Sequence, residues 1–162
     1  MLGKLFKKKG SNEIELFAPV DGEIVPLEEV PDPVFSEQMM GDGIAIKPSN
    51  GKVVSPVDGD IVQVFPTKHA VGVKAGNGAE ILIHIGLETV ALDGEGFTVR
   101  VKEGDKVKKG DPLVDIDLAV VSEKASSTVT PMLITNMNDI ETLDKQDVKQ
   151  VRASEDVVIT IK

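Results

Sequence analysis

Hydrophobic and polar positions alternate in short segments from residue 14 to the end of the chain. These segments are rich in Ile, Val and Leu, and turn residues such as Asp58-Gly59 and Gly76-Asn77-Gly78 separate them. Strands this short and this frequent are typical of an all-β sandwich or barrel. Helix is scarce, and the pattern predicts only two helical turns at 117–123, with Asp117 as the N-cap. The predicted strands are 14–17, 22–25, 43–47, 52–54, 60–64, 70–73, 80–84, 97–99, 112–116, 130–135 and 156–161.

One nine-residue segment occurs twice, 37 residues apart. Residues 17–25 read FAPVDGEIV and residues 54–62 read VSPVDGDIV. Together with the glycine-rich segment 103–111, the repeat predicts duplicated β-hairpin units packed around one core. Biotinyl and lipoyl carrier domains share this pattern, so it indicates a fold and not a function. We therefore expect one domain over residues 11–162, an antiparallel β-sandwich of duplicated, barrel-sandwich-like form with very little helix.

The amino-acid composition excludes several classes of protein. The chain has 162 residues, of which 41% are hydrophobic, and no apolar run approaches the roughly 20 residues of a membrane span. The sequence has no cysteine, which excludes a disulfide scaffold, a thiol nucleophile and a cysteine-ligated metal, and fits a reducing, cytoplasmic compartment. A net charge of −9 and an aromatic content of 3% argue against nucleic acid binding and favour a basic partner.

Residues 1–10 differ from the rest of the sequence. They read MLGKLFKKKG, with four lysines and no acidic residue. The apolar residues fall on one side of a helical pattern and the lysines on the other, and the segment lacks the long apolar stretch of an export signal. Two interpretations remain open for residues 1–10: a flexible solubilising tail, or a basic amphipathic tail that adheres transiently to anionic lipid.

The sequence contains two histidines, and their spacing focuses the search for chemistry. His84 ends the predicted strand 80–84, while His69 opens a strand, with Thr67 placed to hydrogen-bond its ring. Either histidine by itself could be structural. Antiparallel pairing across the turn at 76–78, however, would bring the two rings together. Two adjacent imidazoles can share a phosphoryl group, one as nucleophile and one as donor to its oxygens, or they can ligate zinc.

Apolar and acidic residues flank the two histidines. Met39 and Met40, beside Phe35, can belong either to the core or to an exposed apolar rim that docks several partners. We expect most carboxylates to lie on the solvated surface. Asp32 and Glu88 stand out because they flank the rim and the histidine segments.

Residues 78–90, of the form GxxILIHIGLxTV, resemble the phosphohistidine signature of glucose-family enzyme IIA of the bacterial phosphotransferase system. The likeness covers residues 12–162 and implies an antiparallel β-sandwich with a shallow apolar active-site depression. The other segments that resemble this family are 30–35, 41–48, 65–70, 92–97, 103–107 and 133–137.

The resemblance implies a role for each site residue. His84 would accept the phosphoryl group on Nε2, with its Nδ1–H held by the Gly86 carbonyl. His69 would hold the phosphoryl oxygens, and Thr67 would orient His69. The apolar rim would consist of Phe35, Met39, Met40, Phe65 and Val90.

The acidic residues at the rim also acquire a role from the resemblance. Asp32 and Glu88 would meet an arginine of the donor, the histidine phosphocarrier protein HPr. Glu88 stands where this family is expected to have aspartate, and the extra methylene makes its pairing less secure.

The resemblance implies a phosphotransferase that relays a phosphoryl group during sugar uptake, from HPr to His84 and then to a cysteine on the IIB domain of a sugar permease. No cofactor is expected, and regulatory binding could depend on the phosphorylation state. The chain is expected to be a cytoplasmic bacterial monomer that binds no nucleic acid and that residues 1–10 bring transiently to the inner membrane face. The sugar is bound by the permease, so this sequence does not identify it.

Two alternatives belong to other classes. A lipoyl- or biotin-type carrier would be modified on Lys68, but residues 67–70 lack the expected hairpin motif. A zinc hydrolase-like domain would need further ligands. His69 and His84 could hold zinc if a partner supplied a carboxylate, and the free protein is expected to bind zinc weakly.

Overall fold

The computed structural model describes residues 13–162, so the predicted tail at residues 1–10 lies outside the described residues. Within the described range the chain forms fourteen short strands and two short helices, α1 (Pro33–Ser36) and α2 (Leu118–Lys124). The strands are β1 (Ile14–Phe17), β2 (Gly22–Pro26), β3 (Asp42–Pro48), β4 (Lys52–Val54), β5 (Gly59–Val64), β6 (Ala70–Ala75), β7 (Glu80–His84), β8 (Phe97–Val99), β9 (Lys106–Val107), β10 (Pro112–Ile116), β11 (Thr130–Ile134), β12 (Leu143–Lys145), β13 (Gln150–Val151) and β14 (Val157–Ile161).

The strands form one large sheet and two small ones. The eight-stranded sheet has the order β13-β2-β3-β11-β7-β6-β5-β9, and the three-stranded sheets are β1-β14-β12 and β4-β10-β8. All pairings are antiparallel. Buried side chains from all three sheets, such as Leu16, Ile61 and Leu113, belong to one hydrophobic cluster. The prediction of an antiparallel β-sandwich with little helix is confirmed.

The duplication is visible in the sheet order and in the hydrogen bonds between the two copies of the repeat. The large sheet is symmetric in order, since β13, β2, β3 and β11 occupy the positions of β9, β5, β6 and β7 read from the other edge. The repeated segments bond to each other reciprocally. The Phe17 N–H donates to the Pro56 carbonyl at 2.9 Å, and the Val54 N–H donates to the Pro19 carbonyl at 2.7 Å.

The glycine-rich segment 103–111 has a counterpart at 147–156 that the sequence pattern did not reveal. Asp58 accepts a hydrogen bond from the Lys109 N–H, and its counterpart Asp21 accepts one from the Ala153 N–H. Sequence similarity fails here because few residue identities survive, although the backbone hydrogen bonds do.

Every predicted strand is present, with ends that agree within two residues. The missed strands β9, β12 and β13 contain two or three residues each, which is too short for an alternation of buried and exposed positions to be recognised. The predicted helix is α2, and Asp117 caps it by accepting a hydrogen bond from the Val120 N–H. Helix α1 was not predicted, because Pro33–Ser36 is a single turn.

Candidate functional site

The hairpin of β6 and β7 places the two histidines side by side. Ala70 at the start of β6 pairs with His84 at the end of β7, and the Ile85 N–H donates to the His69 carbonyl at 2.7 Å. The two imidazole ring centroids are 4.8 Å apart, and the planes are nearly perpendicular at 79°. The prediction that strand pairing brings the rings together is confirmed.

Both rings are held through their Nδ1 atoms. His84 Nδ1 lies 2.9 Å from the Gly86 carbonyl oxygen. Because a carbonyl only accepts, Nδ1 carries the proton in the neutral ring and Nε2 keeps its lone pair. His69 Nδ1 lies 2.6 Å from the Thr67 hydroxyl oxygen. The Nε2 atoms of both rings therefore remain available for a shared ligand.

Burial keeps both imidazoles neutral. The pKa of His84 is lowered to about 4, first by desolvation and then by the neighbouring His69, while the Gly86 carbonyl and the Asp32 charge oppose this shift. Desolvation also lowers the pKa of His69, and a hydrogen bond with the Thr67 backbone opposes it. A neutral imidazole with a free Nε2 is nucleophilic at pH 7.

The histidines sit among apolar side chains. The Phe35 ring centroid lies 5.0 Å from that of His84, and the Phe65 ring approaches His69 edge-on at 5.5 Å. Phe35 is only 3% exposed and belongs to a small apolar cluster separate from the main core, so it lies beneath the predicted rim and is not part of its exposed surface. That cluster also contains Leu27, Val30, Ala45, Leu87 and Leu133. The site thus has an apolar floor, which strengthens hydrogen bonds and excludes water.

The methionines lie on the surface. Met39 is 68% exposed, Met40 37% and Val90 57%, so the alternative that Met39 and Met40 belong to the core is wrong. Val34 on α1 is also exposed and was missed by sequence reasoning, although it is the residue next to Phe35. These exposed apolar side chains lie within six residues of Phe35 or His84 in the chain, and such a surface is suited to contact with a partner protein.

The two flanking acids differ in how they are held. Asp32 caps α1 by accepting a hydrogen bond from the Val34 N–H at 3.0 Å, and its charge acts on His84. Glu88 is exposed, has a positive φ of 59°, and makes no side-chain cap to the 3-10 turn that follows it. Only Asp32 is therefore fixed in orientation by the fold.

Left-handed backbone is concentrated in the segments around the site. Among residues 13–162, five residues other than glycine have positive φ, and four of them are Gln38, Lys68, Glu88 and Asp93. Such conformations are unfavourable and cluster at functional sites. The Lys68 side chain runs across Gly94, where a β-carbon would lie 3.3 Å from its Cδ.

Residues 13–162 contain no group of three or more His, Cys, Asp or Glu side chains that could hold a metal ion. No helix in that range is long and apolar enough to cross a membrane.

Comparison with known proteins identifies relatives along the whole chain. Residues 14–140 match the family described as phosphoenolpyruvate-dependent sugar phosphotransferase system, EIIA 1. The chain is 55% identical, over 100% of its length and 98% of the relative, to the PTS system glucose-specific EIIA component of Halalkalibacterium halodurans. It is 52% identical to the component of the same name from Oceanobacillus iheyensis, over 99% of both chains. Glucose permease IIA from Mycoplasma capricolum superposes with a TM-score of 0.87 at 44% identity, covering 93% of this chain and 96% of that one.

Proposed function

The chain belongs to the EIIA 1 family of the phosphoenolpyruvate-dependent sugar phosphotransferase system and is a phosphocarrier in sugar uptake, and we propose that His84 is the residue that carries the phosphoryl group. One observation carries this assignment. The Nδ1 atoms of His84 and His69 are both engaged, at 2.9 Å and 2.6 Å, while the rings lie 4.8 Å apart. Both Nε2 atoms can therefore address one phosphoryl group.

Both steps of the phosphoryl transfer follow from the chemistry of the imidazole ring. The lone pair of His84 Nε2 attacks phosphorus as the phosphorus–nitrogen bond to the donor histidine breaks, and the donor ring leaves with that electron pair. The proton stays on Nδ1 throughout, donated in a hydrogen bond to the Gly86 carbonyl. In the second step a cysteine thiolate of the acceptor attacks phosphorus, and His84 Nε2 leaves with its lone pair restored. These steps need no cofactor, since positioning and charge stabilisation supply the catalysis.

His69 has the supporting role. With the Thr67 hydroxyl donating to Nδ1, the proton of the neutral His69 ring lies on Nε2. That N–H can donate to a phosphoryl oxygen held on His84 and stabilise charge as the group moves. His69 is only 3% exposed, so this hydrogen bond forms away from bulk water and is correspondingly strong.

The partners follow from the surface around the site. The donor is HPr, the acceptor is the IIB domain of a sugar permease, and both dock on the rim of Met39, Met40, Phe65 and Val90. Methionine side chains adapt to different partners, which suits a surface that must exchange donor for acceptor.

Charge directs these encounters. Asp32 and Glu88 add negative charge at the rim, where they would attract a cationic donor. Phosphorylation adds up to two negative charges to an apolar surface and can therefore switch regulatory binding as well. The free protein is expected to act as a cytoplasmic monomer, to bind zinc weakly through His69 and His84, and to contact anionic membrane through residues 1–10.

The experiment is phosphorylation by phosphoenolpyruvate, enzyme I and HPr, followed by intact mass. The unmodified chain should gain one phosphoryl group, His84→Ala should gain none, and His69→Gln should gain it but transfer it poorly to a IIB domain. Labelling of His84→Ala would overturn the assignment. Thermal melting of each variant separates loss of chemistry from loss of folding.

A further inference from the structure

The Gly86 carbonyl sets the tautomer of His84, and it belongs to a glycine, the residue type with the most flexible backbone. Gly86 has φ +76°, and a β-carbon there would lie 2.6 Å from Thr89 Cγ2 and 2.9 Å from the Ser127 carbonyl oxygen. Only glycine fits, and glycine resists rotation of its backbone less than any other residue. Something outside Gly86 must therefore hold its carbonyl toward His84.

Leu87, the residue after Gly86, forms an isolated antiparallel bridge with Ser127. The Leu87 N–H donates to the Ser127 carbonyl at 2.9 Å, and the Ser126 N–H donates to the Leu87 carbonyl at 3.2 Å. The first of these bonds restrains only the N–H end of the Gly86–Leu87 peptide, the peptide that carries the Gly86 carbonyl. The preceding peptide, which carries the Ile85 carbonyl, is fixed differently.

The Thr89 hydroxyl donates to the Ile85 carbonyl at 2.6 Å. Thr89 is fully buried, and its methyl group packs where a side chain on Gly86 would lie. The Ile85 N–H is in turn bonded to the His69 carbonyl. These two bonds connect His69, through Ile85, to Thr89 and to the peptide that precedes Gly86. His84 is the residue before Ile85 in the chain, so both histidines adjoin this arrangement.

We infer that Thr89 is a positioning residue for phosphoryl transfer: its hydroxyl holds the Ile85–Gly86 peptide so that the Gly86 carbonyl keeps the proton of His84 on Nδ1. Without that bond, the Leu87–Ser127 bond alone restrains the Gly86 carbonyl, so the carbonyl can turn away from His84 and the proton can move to Nε2 and block the attacking lone pair. This inference rests on the proposed role of His84. Thr89 does not touch the transferred group itself.

The test compares two substitutions that differ in one group. Thr89→Val keeps the shape but loses the hydroxyl, and Thr89→Ser keeps the hydroxyl but loses the methyl. Ser55→Ala is the matched control, because Ser55 is also fully buried and its hydroxyl donates to the Val57 carbonyl at 2.7 Å, within the repeated segment 54–62. The readouts are the ¹⁵N chemical shifts of His84, which report the tautomer, and the rate of phosphorylation by phospho-HPr.

In Thr89→Val we expect mixed His84 tautomers and a rate that falls about tenfold, with the KM for phospho-HPr unchanged. Thr89→Ser should restore the single tautomer and most of the rate, and Ser55→Ala should change neither. A single Nδ1–H tautomer in Thr89→Val would overturn the inference whether or not its rate falls. Failure of the unmodified chain to be phosphorylated, with the tautomer still shifting in Thr89→Val, would instead refute the role of His84 and leave the positioning intact.

Discussion

The depressed pKa of His84 makes the stability of the fold depend on pH in a predictable direction. In the unfolded chain His84 binds its proton near the ordinary value of 6.5, whereas in the folded chain it does so only at about 4. Between these values the unfolded state holds more protons, so lowering the pH favours unfolding. Stability contributed by neutral His84 is thus present near pH 7 and is lost as the pH falls below 6.5.

The two pKa values fix the size of the effect. Proton linkage with values of 6.5 and about 4 gives a loss of about 2 kcal/mol between pH 7 and pH 5 from this residue. Partial solvent access to His84 makes this an upper value. His69, whose pKa is also lowered, adds to the loss in the same direction.

The assay is urea denaturation of the unmodified chain and of His84→Gln at pH 7 and pH 5. The carboxylates contribute equally to the pH dependence of both proteins. Their contribution therefore cancels when the changes in the free energy of unfolding are subtracted. The free energy of unfolding should fall by about 2 kcal/mol more in the unmodified chain than in the variant. An equal loss in both proteins, with an NMR titration midpoint for His84 near 6.5, would refute the reasoning that burial keeps this imidazole neutral.

Three further predictions concern Gly86 and two residues at the rim, Val90 and Asp32. Gly86→Ala should lower the free energy of unfolding by about 2 kcal/mol or more, because its β-carbon meets Thr89 and the Ser127 carbonyl at a positive φ; denaturation at the unmodified midpoint would contradict this. Val90→Asp should weaken HPr binding about tenfold in calorimetry, while Val148→Asp, at an exposed valine outside the rim, should not; equal effects would argue against a rim interface. Asp32→Asn keeps an acceptor for its cap, so it should reduce the salt dependence of the KM for HPr without changing the melting temperature; an unchanged salt dependence would remove Asp32 from donor recognition.

Much of the fold could be predicted from sequence because the strands that matter are buried and alternate. The strand 80–84 and the turn at 76–78 were sufficient to place His69 beside His84, since hairpin register follows from the hydrophobic pattern. The strands that were missed, such as β12 and β13, have only two or three residues and depend on pairing with distant segments.

The support around the histidines was less predictable than the histidines themselves. The Thr67 and Gly86 contacts lie two residues from the rings they hold, so local sequence carries that information. The contact between Leu87 and Ser127 joins segments forty residues apart and has no local signal. The bond from the Thr89 hydroxyl to the Ile85 carbonyl depends on the burial of Thr89, which the sequence pattern does not show.

The central claim is that the fold leaves Nε2 of His84 as the phosphoryl acceptor. The most direct measurement is a long-range ¹H–¹⁵N spectrum of the protein phosphorylated by phospho-HPr, recorded with and without phosphorus decoupling. We predict phosphorus coupling at Nε2 of His84, with the proton still on Nδ1. Coupling at Nδ1 of His84, or at either nitrogen of His69, would contradict it.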